Sequence, residues 1–236
     1  MTGKMKYVMA ALLISAVSLY AYNPPAGGEN LFGISSPAQL TSASSAAGGA
    51  FFDITPSSIA FNPALPAFEQ RVMLDAGYTA LFASDDPGDK SFASAFQCGL
   101  LVPTKWGVGT AEIYGAMVPF YEMQIGNSFN TKFNGSRDVT DKLAVGVSLT
   151  GGEFWGYNTD FMLAADIGFM YRYGTLGPIE DFRFGASLLN LGKTYSNTTV
   201  WGIKGSESDS FPGIATLRAG AAGTFFKTDL FSGAFS

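Results

Sequence analysis

Seven charged side chains stand at positions where they could do chemistry: Arg71, Asp75, Asp160, Asp166, Arg172, Arg183 and Arg218. Arginine grips a carboxylate through two parallel N–H donors, a charge-assisted contact stronger than a neutral hydrogen bond. Each of these arginines is therefore a candidate clasp for an acidic ligand. The same residue set also suits mutual pairing, because charges withdrawn from water need partners whatever the function. Materials for catalysis are scarcer. The chain has no histidine, which removes Ser-His-Asp and Cys-His catalysis in their usual forms and the commonest metal ligand. No G-x-S-x-G elbow occurs. A lone cysteine, Cys98, permits neither an intrachain disulfide nor a thiolate zinc site, and is expected to be a small buried residue. The reading is a non-enzymatic protein without cofactor or metal. Met73, Met162 and Met170 either line an apolar path or fill space by ordinary packing.

The elements that position these charges are strands. In 71–83 the even positions Val72, Leu74, Ala76, Tyr78, Ala80 and Phe82 are apolar, while the odd ones include Arg71, Asp75, Gly77 and Thr79. That is the period-two pattern of a strand with two unlike faces. It repeats in 159–173, where Phe161, Leu163, Ile167 and Phe169 oppose Asp160, Met162, Asp166 and Arg172, and again in 139–149, 182–191 and 214–226. Residues 91–102 and 107–118 alternate more weakly, for about seven strands in all. Soluble strands run about 5–6 residues, whereas strands that cross a bilayer need ~9–11. These have the longer dimension. Their polar faces carry Gly, Ala, Ser and Thr with isolated charges, which suits a crowded interior better than water. Tyr78, Phe82, Tyr171, Tyr173, Phe225 and Phe226 lie near strand ends, where aromatic girdles meet the membrane interfaces. Turn-rich stretches at 84–90, 126–138, 174–178 and 192–213 separate the strands, and the longest are polar.

Composition agrees. Of 236 residues 47% are apolar and only 14% charged, well under the ~25% charge of ordinary soluble domains. The net charge of −5, from 14 Lys+Arg against 19 Asp+Glu, offers no basic footprint for nucleic acid. Lys4 and Lys6, an apolar run over 7–19 and Ala21 form the pattern of an export signal over 1–21. Its apolar run is too short to span ~30 Å of hydrocarbon. Residues 22–50 are rich in Ala, Gly, Ser and Pro and cannot make a core, so they read either as linker or as a plug packed against inner walls.

The stretch 51–68 divides the two kinds of chain. Pro56, Pro63 and Pro66 exclude both a long helix and a central strand, and Asn62-Pro63 initiates a turn. We expect Phe61, Asn62, Pro63 and Ala64 to form a fixed turn against the inside of the first strands, with the Asn62 side chain binding backbone. The string Phe61-Asn-Pro-Ala-Leu65, preceded by Gly48-Gly49-Ala50 and Asp53, resembles the FadL/TodX family of outer-membrane transporters for hydrophobic compounds and the related spirochaetal outer-membrane paralogues. Leu163-Ala-Ala-Asp-Ile-Gly-Phe-Met-Tyr-Arg172, Phe184-Gly-Ala-Ser-Leu-Leu-Asn-Leu-Gly192 and Leu217-Arg-Ala-Gly-Ala221 are similar to strands of that family in order and spacing.

The resemblance implies an all-β, transmembrane antiparallel β-barrel of FadL type in the bacterial outer membrane, with 22–68 as plug and 69–236 as barrel. Its partners would be membrane lipid and a hydrophobic small molecule such as a fatty acid, taken up passively, with an arginine holding the carboxylate. About seven strands are half of what the family's barrel closes with. The chain then reads as a shortened member without transport, a fragment, or a chain that closes in a smaller barrel, by self-association or with a partner chain, since an open edge facing lipid leaves backbone groups unsatisfied. A structural or surface-exposed, adhesin-like barrel is the alternative.

Overall fold

The computed structural model of the protein describes residues 46–49, 54–83, 91–117, 127–155, 159–193, 215–227 and 232–235. The expected export signal and residues 22–45 and 50–53 of the expected plug lie outside them, as do 84–90, 118–126 and 194–214. Among the described residues, nine antiparallel strands form one sheet in simple sequential order. They are β1 (Met73–Ala83), β2 (Ser91–Thr104), β3 (Gly107–Met117), β4 (Asn127–Asp138), β5 (Leu143–Trp155), β6 (Thr159–Leu176), β7 (Ile179–Lys193), β8 (Thr216–Lys227) and β9 (Ser232–Phe235). Among the described residues β1 and β9 do not pair with one another, so the sheet is not closed there.

Nine strands correct the count of about seven, and β4 is the instructive addition. Its sequence, NSFNTKFNGSRD, is polar enough to read as loop. Here polarity does not mean exposure. Ser128, Asn130, Lys132, Asn134 and Ser136 alternate with Phe129, Thr131, Phe133 and Gly135, and it is the polar set that is buried. The 174–178 stretch also shortens, because β6 continues to Leu176 and only Gly177-Pro178 turns, Gly177 taking a φ of 64°.

The faces are inverted relative to a soluble sheet. Leu74, Phe82 and Leu217 are 74%, 81% and 77% exposed, while Glu112, Lys132 and Asp166 are 2%, 6% and 0% exposed. Cys98 corrects another expectation: it follows the outward alternation of β2 and is exposed. Leaving one Leu or Phe in water forfeits ~1.5–3 kcal/mol. Such exposed apolar side chains recur on β1 to β8.

The polar face is covered by two 3-10 turns, Pro56–Ala60 and Leu65–Phe68, whose prolines preset φ for them. The first packs on β1, β2 and β3, the second on β3, β4 and β5. Ser57 N–H donates to Asp75 on β1 (3.2 Å), and four residues on the Phe61 carbonyl accepts from Ser187 on β7 (2.7 Å). Four residues of such a turn advance about 8 Å, but six strand intervals of a flat sheet cover about 29 Å. Side chains add only a few ångströms at each end. The sheet is therefore curled round this segment, barrel-like though unclosed.

Candidate functional site

The inner segment is seated by close approach. Gly146 and Gly168 are register partners on β5 and β6, and Gly185 lies on β7. A Cβ at Gly146 would strike the Pro63 carbonyl, one at Gly168 the Asn62 side chain, and one at Gly185 the Ala46 carbonyl. Asn62, Pro63 and Ala64 are wholly or nearly wholly buried above them.

Asn62 binds backbone on both sides. Its Nδ2 donates to the carbonyls of Ala46 (2.6 Å) and Phe169 (2.8 Å), and its Oδ1 accepts from Ala64 N–H (2.9 Å). The expected role is present, but its seat is β5 to β7 rather than the first strands. Ile54, packed with Leu101, Val108 and Met73, and the Pro56–Ala60 turn reach those, because a segment of this length inside a curled sheet crosses from one wall to another. With its amide nitrogen turned toward the segment, Asn134 donates to the Pro63 carbonyl at 3.2 Å. Phe61 and Phe68 pack around a small core of Ala64, Leu65, Ala67, Ala144 and Met170. Met170 and Met162 thus serve packing, the latter with Phe154 and Ala164.

The arginines divide by place. Arg183 Nε donates to the Ala47 carbonyl (2.8 Å) and its NH2 to the Gly49 carbonyl, holding residues 46–49 against β7. Arg172, its register partner on β6, stacks on Phe68 with the guanidinium 3.7 Å from the ring centre. Arg218 lies 5.7 Å from the Phe61 ring. These three stand on consecutive strands at the edge of the inner segment. Arg71 does not join them. It precedes β1 with its side chain 72% exposed and pairs with Glu69 (2.9 Å), because the alternation that would turn it inward starts only at Met73.

The acids are engaged elsewhere. Asp75 accepts from Gln97 Nε2 (2.6 Å) as well as from Ser57. Asp166 binds Lys132 Nζ (2.8 Å) and accepts the Asn190 N–H (2.7 Å). Asn190 sits at a bulge with φ 60°, where β7 supplies extra residues opposite Asp166. A bulged residue loses its ladder partner, and here the carboxylate takes the freed N–H. Asp160 lies on β6, but its side chain is outside what is described. Among the described residues the ion pairs are Arg71–Glu69 and Lys132–Asp166, each joining one of the expected charges to a further one, Glu69 or Lys132.

Lys132 belongs to a buried polar band. Register places Glu112, Lys132 and Thr150 side by side on β3, β4 and β5. The signal for Lys132 was present in the phenylalanine alternation of 127–138, and counting the hairpin outward from Asn127 would have set it against Glu112. No protein-family model matches the chain, and no curated protein or solved structure matches it either.

Proposed function

We propose that this chain works in the bacterial outer membrane as a FadL-like β-barrel protein, with its apolar face against lipid and the 22–68 segment, of which 46–49 and 54–68 are described, acting as a plug. The observation that supports this is the inversion of faces: exposed Leu, Phe and Val outside, buried Lys, Asp, Glu and Asn inside. Joined to the family resemblance, the reading is passive passage of hydrophobic compounds such as long-chain fatty acids. Arg172 and Arg218, stacked on Phe68 and Phe61 at the margin of the plug, are the groups suited to meet a carboxylate as the plug shifts. Closure of the open sheet then falls to a further segment or a partner chain.

A second reading, a barrel that serves structure without transport, is favoured by the anchoring itself. Asn62, Arg183 and Ser187 tie the plug to β6 and β7 at several points. Uptake of a fluorescent fatty acid into proteoliposomes separates the two. Transport predicts protein-dependent uptake that changes in Asn62→Ala. Folded, inserted protein with no uptake above empty vesicles would leave the structural reading.

A further inference from the structure

Resting on the membrane reading above, we infer that the outer face holds a site for an anionic phospholipid at the short-turn end of the sheet. On β2 to β5 one outward row reads Val102, Gly109, Gly135, Val147 by register. The neighbouring row contributes Leu100, Phe133 and Leu149, and the two line an open groove of about 560 Å³. Gly109 and Gly135 are its floor. Nothing lies within 4 Å of where a Gly135 side chain would begin. These glycines are therefore not demanded by packing within the chain, unlike Gly146 and Gly168. Without side chains on two adjacent strands, valine walls stand three strand intervals apart, about 14 Å. A lining that finds no atoms opposite forfeits its dispersion contacts, and in a bilayer an acyl chain supplies them.

The mouth of the groove carries charge. Arg137 follows Gly135 by two residues on β4, outward and exposed, beside Gly107, where a Cβ would lie 3.3 Å from the Arg137 Cβ. Lys105 stands in the adjoining β2–β3 turn, 5.3 Å from the exposed Trp106 ring. Asp138, next in the chain, belongs by alternation to the opposite face. Cations with an indole at the end of an apolar groove are the arrangement of a lipid headgroup level, and each cation near an anionic surface favours it by roughly fivefold. The occupant is thus a phospholipid of the surrounding leaflet, its phosphate at Arg137 and Lys105 and one chain over Gly109 and Gly135.

Trp106 provides the readout. In a full chain with Trp155 and Trp201 replaced by Phe, quenching of Trp106 by phosphatidylglycerol brominated on its acyl chains is followed as its share of phosphatidylcholine vesicles rises. We expect saturation at low mole fraction. Half-saturation should move about fivefold higher in Arg137→Gln, and quenching should fall in Gly135→Leu, which fills the floor and leaves the fold intact by heat-modifiability on gels. Quenching that rises linearly, is equal for brominated phosphatidylcholine and ignores both substitutions means bulk lipid only, and overturns the site. Saturable quenching by a brominated free fatty acid but not by the phospholipid would overturn the assigned occupant. Failure of the protein to insert, seen as no heat-modifiable band and no spectral shift with vesicles, would overturn the membrane reading itself.

Discussion

Asn62 satisfies two carbonyls with one amide, those of Ala46 and Phe169. Truncating it to Ala removes that donor from a buried bond and a part-buried one, and a buried group left unsatisfied costs ~1–3 kcal/mol. Asn62→Ala should lower the urea midpoint of the folded protein, whereas Cys98→Ser on the outer face should leave it unchanged. Asp166 holds both Lys132 and the bulge at Asn190. Asp166→Ala should cost ~3–5 kcal/mol, the usual penalty for stranding a buried charge, and replacing Lys132 by Met in the same chain should restore part of it. Glu69 gives a pH signature. Arg71, hydrogen-bonded to it, holds its carboxyl at about 2 against an ordinary 4.5. A carboxyl lowered on folding stabilises above its unfolded value, so the contribution is complete above about 4.5 and is lost as pH falls toward about 2. Solvent screens this pair, Arg71 being mostly exposed. Urea midpoints taken between pH 5 and 2 at low salt should fall more steeply for the native chain than for Glu69→Gln.

Strands and glycines set the tolerance of each element. Gly168→Val on β6 drives a side chain into Asn62 and Pro63, while Gly151→Val on β5 meets open space. The first should release the segment to protease and the second should not; equal cleavage of both would remove the seat. Much of this was legible beforehand. Strict alternation located β1, β5 to β8 and the inward turn of Asp166 and Arg172, and the prolines marked 51–68 as kinked chain. What stayed hidden was hidden for physical reasons. β4 looks like a loop because the usual link between polar and exposed is reversed in this fold. The partner of Asp166 was hidden with it, since Lys132 lies on β4. Arg71 was assigned by extending a period beyond the strand that enforces it. The β5 to β7 seat of Asn62 depends on curl, which no local pattern in the sequence carries.

For the whole molecule, the central claim is that one face of a curled antiparallel sheet meets hydrocarbon and the other meets the chain's own polar groups. Strand length, low charge and inverted burial are the observations that this proposal would account for together. The connections also differ by end: 105–106, 139–142, 177–178 and 228–231 are brief, and at the opposite end 84–90, 118–126 and 194–215 are longer while 156–158 is short. Outer-membrane strands show this asymmetry between periplasmic turns and outer loops. β6 offers the most direct test, because its outward Phe161, Leu163, Ile167 and Phe169 alternate with inward Met162, Ala164, Asp166 and Met170. Single cysteines placed through 161–170 in a Cys98→Ser background, spin-labelled and reconstituted in vesicles, report collisions with oxygen and with a water-soluble nickel chelate. The account predicts high oxygen and low nickel access at the odd positions, and immobilised labels with little access to either at the even ones. Nickel access at Leu163 and Ile167 equal to that of a label in the 139–142 turn would contradict it.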